Sequence, residues 1–174
     1  MTVLKWSGWG GFIKAWDAER TSTLGFHFEL KVSGSTENSE SRNQNHVEVS
    51  AALIFRNEKL LITQRHANAH LGGLWEFPGG KREPGETFEQ CLIRELREEL
   101  GVEVQVGKLF EEITHVYPGK TIRLRFFVCN LIQGEPESID CAAVKWISRS
   151  ELGHYEFPAA DARLLDRLKA YTFP

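Results

Sequence analysis

The sequence contains few cysteines, and the three it has are far apart. Cys91, Cys129 and Cys141 form no closely spaced pair, which argues against a zinc site, and their odd number argues against a disulfide framework. Widely spaced thiols of this kind are typical of reduced, partly buried side chains in a cytosolic protein.

Long apolar runs and an excess of basic residues are also missing. No segment approaches the roughly 20 apolar residues of a membrane span, and the N-terminus lacks the apolar core of a signal peptide. The net charge is −3, whereas proteins that coat nucleic acid normally present a basic stripe. We therefore expect a cytoplasmic protein without a membrane or a stable nucleic-acid partner, either a monomer or a homodimer.

The residues that are present predict one folded domain with an N-terminal extension. A chain of 174 residues with 41% apolar residues is long enough to bury one core and too short for two sizeable domains. Residues 33–45 contain no aliphatic side chain and predict a flexible polar linker. We divide the chain into an extension of unknown role, residues 1–45, and a folded domain, residues 46–174. The alternating run 24–30 in the extension predicts a short strand or hairpin.

A helix of about four turns is predicted between Thr87 and Gly101. Thr87 and Gln90 have the spacing of a capping box at its start. Apolar residues then recur at helical spacing, and Gly101 supplies the left-handed position at which helices commonly end.

Three glutamates would converge on one edge of this helix. Glu95, Glu98 and Glu99 lie at positions i, i+3 and i+4, where like charges repel. Converging carboxylates suit a hard divalent cation, Mg²⁺ or Mn²⁺, that also takes substrate phosphates as ligands. Arg94 could orient one carboxylate by a charge-assisted hydrogen bond. The alternative interpretation is a solvated, charged helix face.

Strand-like segments surround the helix. The apolar run 75–81 ends in Pro-Gly-Gly, where the backbone can approach an ion or a phosphate closely. Further strands and a final amphipathic helix predict an α+β fold. The strands are expected at residues 46–55 and 59–64 around the turn 56–58, at 113–117 and 123–130 around the turn 118–120, and at 143–147, with the helix at 160–170.

At these residues the chain resembles the Nudix hydrolases, and more closely those of the MutT type. The family signature is G-x5-E-x7-R-E-U-x-E-E-x-G-U, with U an apolar residue. Every fixed position is met, by Gly80, Glu86, Arg94, Glu95, Leu96, Glu98, Glu99, Gly101 and Val102. The resemblance extends from about Val47 to Leu168 and leaves the extension uncovered.

The resemblance implies an α/β/α sandwich with a mixed sheet and an enzyme that requires Mg²⁺ or Mn²⁺. It implies that Glu95, Glu98 and Glu99 hold the metal ions with the Gly79 carbonyl. Glu86 and Arg94 would orient these ligands. Asp140 occupies a position where MutT-type proteins usually carry a glutamate. Either Glu95 or Asp140 would be the general base, and the sequence leaves that choice open.

The resemblance also implies residues that contact the substrate. Arg65 would meet phosphate. From the residues themselves, Lys81 borders the glycine loop and could also meet phosphate or face solvent in the turn, and Phe77 could form an apolar wall for the base or pack in the core. Asp161 would face the base, at a position where MutT has an asparagine. Asp donates a hydrogen bond only when it is protonated, which burial favours. The alternative role of Asp161 is to cap the last helix.

The implied reaction is Mg²⁺-dependent hydrolysis of a nucleoside triphosphate to the monophosphate and pyrophosphate, with modified nucleotides such as 8-oxo-dGTP as expected substrates. The aspartate at position 161 makes cytidine nucleotides or oxidised adenine nucleotides alternatives. Three further alternatives are a pyrophosphatase of ADP-ribose or a similar nucleoside diphosphate derivative, a non-catalytic base-recognition module, and an interaction protein that works through its Trp-rich N-terminus.

Overall fold

A computed structural model of the chain describes residues 45–174. The strand predicted at residues 24–30 and nearly all of the predicted linker lie outside the described residues. In the part that is described, no helix is long and apolar enough to cross a membrane.

The described residues form seven strands and two α-helices. In chain order they are β1 (Asn45–Arg56), β2 (Lys59–Gln64), β3 (Trp75–Glu76), β4 (Gly79–Lys81), α1 (Phe88–Leu100), β5 (Glu103–Tyr117), β6 (Lys120–Gln133), β7 (Ala143–Ser148) and α2 (Ala162–Lys169). Two short 3₁₀ helices, Arg149–His154 and Ala159–Asp161, precede α2.

The strands form a mixed sheet in the order β3-β2-β1-β6-β5. The central strands β1 and β6 are parallel, and the other pairs are antiparallel. Strand β4 also pairs with β1, through Ala51 and Gly79, and β7 pairs with β2. The long strand β1 therefore connects the whole sheet to the Gly79–Gly80 segment.

Alternation along the strands creates a core on each face of the sheet. In β1, Leu53 belongs to one core, whereas its neighbours Ala52 and Ile54 belong to the other. Helix α1 contributes Leu92, Leu96 and Leu100 to the second core, and α2 contributes Leu164 and Leu168 to the first. The sheet thus lies between helices, and the predicted α/β/α sandwich with a mixed sheet is confirmed.

Helix α1 begins and ends as predicted. The Thr87 hydroxyl accepts a hydrogen bond from the Gln90 amide at 3.1 Å, and the Gln90 side chain accepts one from the Thr87 amide at 2.8 Å. Gly101 has φ 68°, and its amide donates to the carbonyl of Arg97. Both ends are fixed locally, so the glutamates of α1 have a defined position along the chain.

Several boundaries differ from the predictions. The run 75–81 is split into β3 and β4 because Pro78 has no amide hydrogen to donate to a neighbouring strand. The carbonyl of Pro78 accepts a hydrogen bond from the amide of Ala52 at 2.8 Å. The turn after β1 contains only Asn57 and Glu58, both with positive φ, as a tight hairpin requires. Strands β5 and β6 are longer than predicted because they pair with each other along nearly their whole length. Helix α2 begins at Ala162, after a 3₁₀ turn.

Candidate active site

Helix α1 places three glutamates along the edge that faces β4. Glu95 and Glu99 are buried, with 6% and 7% of their surface exposed, and Glu98 is half-buried. Their spacing on a capped helix explains why they lie together. Buried carboxylates are unusual unless they are paired or bind a cation, so this edge differs from a solvated helix face.

Arg94 and Glu86 hold two of these glutamates in place. The Arg94 guanidinium donates to both oxygens of Glu86, at 2.7 and 3.0 Å. It also donates to Glu95 at 2.8 Å and to Glu98 at 3.4 Å. A further hydrogen bond, to the carbonyl of Lys81 at 3.2 Å, ties the network to β4. Arg94 therefore fixes the carboxylates relative to the glycine segment.

Gly79 and Gly80 allow the backbone of β4 to lie against the glutamates. A Cβ atom on Gly80 would overlap the carboxylate of Glu95, and one on Gly79 would overlap the carbonyl of Ser50. Gly79 also has φ 147°, which favours glycine. Its amide donates a hydrogen bond to the carboxylate of Glu99. Neither glycine can be replaced without moving the glutamates or β1.

Negative charge accumulates at this edge. Burial raises the pKa of Glu99 well above its usual value, and the charges of Glu76, Glu95 and Asp140 raise it further. Burial also raises the pKa of Glu95, against the opposing effect of Arg94. Such repulsion between oxygen ligands is relieved by a divalent cation, so the chemistry of the donors fits Mg²⁺ or Mn²⁺. Among the described side chains, no three His, Cys, Asp or Glu are arranged as a ready-made metal site.

Asp140 lies beside the end of α1. Its amide donates to the carbonyl of Glu99 at 3.2 Å, and its Oδ1 atom is 3.8 Å from Nε2 of His66. Its other carboxylate oxygen, Oδ2, is buried and has no hydrogen-bond partner within residues 45–174. The charge of Asp140 thus lies close enough to Glu99 to raise its pKa, even though the Asp140 loop is distant in sequence from α1.

A pocket of about 350 Å³ opens next to the glutamates. Apolar side chains from β1 and β6 form part of its wall. Its polar lining comes from Arg65, His70, Glu76, Lys120 and Asp161, and Gly79 and Phe77 complete the side next to β4. Because Gly79 both lines the pocket and donates to Glu99, the pocket and the carboxylate edge of α1 share one wall.

Arg65 is committed to structure inside this pocket. Its guanidinium donates to Glu76 at 2.6 Å and to the carbonyl of His70 at 2.7 Å, and its side chain is only 2% exposed. The predicted contact of Arg65 with phosphate stays a prediction. A guanidinium in this position can meet a ligand only through the pocket.

Asp161 lies in the pocket wall and does not cap α2. It is 5% exposed, and its side chain makes no capping hydrogen bond to the helix. Burial, reinforced by the charge of Glu76 and opposed by Arg65, raises the pKa of Asp161 to about 7. The alternative role as a helix cap is therefore wrong. Near neutral pH a substantial fraction of this carboxyl group is protonated and can donate a hydrogen bond.

The remaining predicted contacts are divided between the pocket and its surroundings. Phe77 lines the pocket, stacks on Phe157 at 5.3 Å and meets Phe126 edge to face. Lys81 is half-buried outside the pocket lining, and burial, with the charges of Lys120 and Arg65, lowers its pKa. A nearby anionic ligand would favour the charged form of a cation that is partly desolvated in this way.

The geometry agrees with the comparisons to known proteins. The family model for the NUDIX domain matches residues 50–167. The chain belongs to the Nudix family. It is 40% identical over 118 residues to the 8-oxo-dGTP diphosphatase of Escherichia coli (strain K12), which covers 67% of this chain and 92% of that protein. It is also 40% identical over 124 residues to the CTP pyrophosphohydrolase of the same organism, which covers 71% and 92%.

Solved structures of other proteins share the fold. The solution structure of the E. coli ORF135 protein matches with a TM-score of 0.64 and 38% identity, over 73% of this chain and 91% of that one. A structure of MutT described for Aliivibrio salmonicida and Vibrio cholerae matches with a TM-score of 0.62 and 28% identity, over 72% and 97%. The family predicted from the signature is confirmed.

The sequence interpretation of this Nudix domain missed Glu76. It stands between Trp75 and Phe77 in a short strand, where a charged residue is out of place unless it is paired. That oddity was the available signal, but the partner, Arg65, is recognisable only once β2 and β3 are paired. The three cysteines are free and buried as expected, and burial raises their pKa values to about 12, 12 and 11, so their thiols stay protonated near neutral pH.

Proposed function

We propose that the protein hydrolyses nucleoside triphosphates to the monophosphate and pyrophosphate, with a divalent cation bound at the glutamates of α1. The observation that carries this proposal is the shared wall at Gly79, which joins a base-sized pocket to a buried carboxylate edge. A nucleotide whose base enters the pocket would place its phosphates beside Glu95, Glu98 and Glu99. The names of the two E. coli relatives support nucleotide substrates.

The protein's own residues would hold and orient the reactants. Glu95, Glu98 and Glu99, with the Gly79 carbonyl, would hold Mg²⁺ or Mn²⁺, which when bound neutralises phosphate charge and activates water. Glu86 acts on these ligands through Arg94.

Asp140 is the better candidate for the general base. The carboxylate of Glu95 is already paired with Arg94 at 2.8 Å, whereas Oδ2 of Asp140 has no hydrogen-bond partner among the described residues. Because Oδ2 is buried, the side chain of Asp140 would have to turn toward the metal ions before this oxygen accepted the proton of an attacking water. Lys81, next to Gly80, would bind phosphate.

The protonation of Asp161 suggests which bases are bound. A protonated carboxyl group presents an O–H donor beside a carbonyl acceptor. Cytosine offers the complementary pair through its N4 amino group and N3, and 8-oxoguanine does so through N7–H and O6. Unmodified guanine presents two acceptors, N7 and O6, on the same edge. We therefore propose cytidine and 8-oxoguanine nucleotides as substrates, with dGTP as a poorer one. Adenine also offers a donor beside an acceptor, N6–H and N7, so the adenine nucleotide in the substrate panel tests whether the pocket rejects it.

A substrate panel with matched variants tests this proposal. Wild type, Glu98→Gln and the control Glu89→Gln would be assayed with Mg²⁺ on 8-oxo-dGTP, dGTP, CTP, 5-methyl-dCTP, 2-hydroxy-dATP and ADP-ribose. Glu89 is exposed in the first turn of the same helix, so its substitution should change kcat by less than about twofold. Loss of a metal ligand should lower kcat by about 100-fold or more. The hydrolase proposal fails if wild type cleaves none of the substrates or if Glu98→Gln retains kcat within about threefold of wild type.

Analysis of the products identifies which phosphoric anhydride bond is cleaved. Release of pyrophosphate and a nucleoside monophosphate supports the proposed bond cleavage, whereas release of orthophosphate contradicts it. We further propose that residues 46–174 are the catalytic unit and that the enzyme acts on nucleotide pools in the cytosol.

A further inference from the structure

Strand β5 forms one edge of the sheet in the described part of the chain. It is 15 residues long, and within residues 45–174 it pairs only with β6. Leu109 and Val116 on this strand are 46% and 68% exposed. A long edge strand with exposed apolar side chains is a template for another strand, and proteins usually cover such an edge.

The most regular part of this edge is Glu111–Tyr117. The pairing of β5 with β6 is interrupted between Glu103 and Val104, between Val106 and Leu109, and between Leu109 and Glu111. From Glu111 onwards, each residue of β5 pairs with one residue of β6 without interruption. Bulges discourage pairing at an edge, so an added strand is best accommodated along this last segment, where Val116 lies.

The N-terminal extension joins the domain close to this segment. Strand β1 begins at Asn45, which pairs with Lys120 of β6, and Lys120 pairs in turn with Tyr117 of β5. Neighbouring strands are about 4.8 Å apart, so a strand outside β5 would be about 15 Å from Asn45. Residues 31–44 can span about 45 Å when extended, so they reach this edge easily.

The extension contains one segment with the pattern of a strand. In residues 24–30, Leu24, Phe26, Phe28 and Leu30 alternate with Gly25, His27 and Glu29. A period of two gives one apolar and one polar face. The polar stretch 33–45 that follows has the composition of a tether rather than of a packed segment.

We propose that residues 24–30 bind to the outer edge of β5 along Glu111–Tyr117, as an additional strand of the sheet. Main-chain hydrogen bonds would supply the binding energy, and the apolar face of the segment would cover Val116. The interaction is intramolecular, so even weak pairing is favoured by the high effective concentration of a tethered segment. This inference is independent of the proposed hydrolysis.

Hydrogen–deuterium exchange of the full chain tests the proposal. Wild type would be compared with Phe26→Asp/Phe28→Asp, which removes the apolar face, and with Phe12→Asp, an aromatic substitution outside the alternating run. In wild type the amides of both 24–30 and 111–117 should be protected. The double substitution should accelerate exchange in both segments by about tenfold or more, while Phe12→Asp and the amides of β1 remain unchanged.

A second variant separates pairing from side-chain burial. His27→Pro removes one amide donor and leaves both phenylalanines in place, so it should reduce protection in the same two segments. The proposal is overturned if residues 24–30 exchange at the rate of an unstructured peptide in wild type. It is also overturned if Phe26→Asp/Phe28→Asp leaves the exchange of the amides of 111–117 unchanged.

A second copy of the chain is the alternative occupant of the β5 edge. In that case the protection of 111–117 would increase with protein concentration, and sedimentation would show a dimer that persists in Phe26→Asp/Phe28→Asp. Concentration-independent protection in a monomer supports the intramolecular strand, whereas the dimer result rejects it.

Discussion

Replacing Asp161 by asparagine should remove a pH-dependent loss of stability. The Asp161 side chain is buried in the pocket wall, and burial with the charge of Glu76 raises its pKa from the usual 3.8 to about 7. The folded protein then binds this proton more tightly than the unfolded chain does. Stability from this group is present at acidic pH and is lost as the pH rises from about 4 to about 7.

The size of the effect follows from the pKa difference. A difference of about three pKa units corresponds to about 4 kcal/mol between pH 4 and pH 8, which is an upper limit because the pocket opens to solvent. We expect about 1–3 kcal/mol in practice. Asparagine keeps the shape and has no ionised form, so Asp161→Asn should be more stable than wild type at pH 8 and close to it at pH 5.

Urea unfolding of the metal-free protein at pH 5 and pH 8 measures this difference. Removal of metal matters because a bound cation would alter the neighbouring charges. Asp166→Asn is the matched control, since Asp166 lies on α2 and its side chain is exposed. The control should follow wild type at both pH values. If Asp161→Asn and wild type lose stability in parallel between pH 5 and pH 8, the inferred protonation of Asp161 is wrong.

Three further substitutions test the carboxylate edge. Glu99→Gln should stabilise the metal-free protein at pH 8 by roughly 1 kcal/mol or more, because a buried and repelled charge is removed. In thermal melts, adding Mg²⁺ should raise the Tm of wild type and leave that of Glu99→Gln almost unchanged. Gly80→Ala should cost about 1–3 kcal/mol in urea unfolding and lower kcat about tenfold or more, because its Cβ would displace the Glu95 carboxylate. Thr87→Ala should cost only about 1 kcal/mol and leave kcat within about twofold, since it removes the helix cap alone.

The sequence predicts the carboxylate edge well because its determinants are local. The capping box, the spacing of the glutamates and the final glycine are all read within one helix, and the structure places the helix between the same residues. The pairing of Arg94 with Glu98 is also local, at positions i and i+4. Glycine at position 80 could be recognised as a close approach of the backbone, although the group that approaches, Glu95, could not.

The pocket was less predictable because its charges meet through the tertiary fold. Arg65 and Glu76 come from neighbouring segments joined by the β2–β3 pairing, while Asp161 comes from a turn 96 and 85 residues later, respectively. The pKa of Asp161 depends on both burial and Glu76, and neither is visible in the residues around it. Sequence spacing therefore indicated how the bond is broken more clearly than which base is bound.

The site contains two groups of buried carboxyl side chains, those of α1 and that of Asp161 in the pocket, and their surroundings suit them to different roles. On α1, Arg94 pairs with Glu86, Glu95 and Glu98, whereas the pKa of the buried Glu99 is raised by burial and by the charges of Glu76, Glu95 and Asp140. A divalent cation would relieve that repulsion, so the edge is poised to bind metal at a cost in stability. In the pocket, Glu76 is paired with Arg65, and burial together with the charge of Glu76 raises the pKa of Asp161 to about 7, so that its carboxyl group is partly protonated near neutral pH. A protonated carboxyl group has an O–H donor beside a carbonyl acceptor. The carboxylates of α1 therefore favour a metal ion and phosphates, and the pocket wall at Asp161 favours recognition of a base.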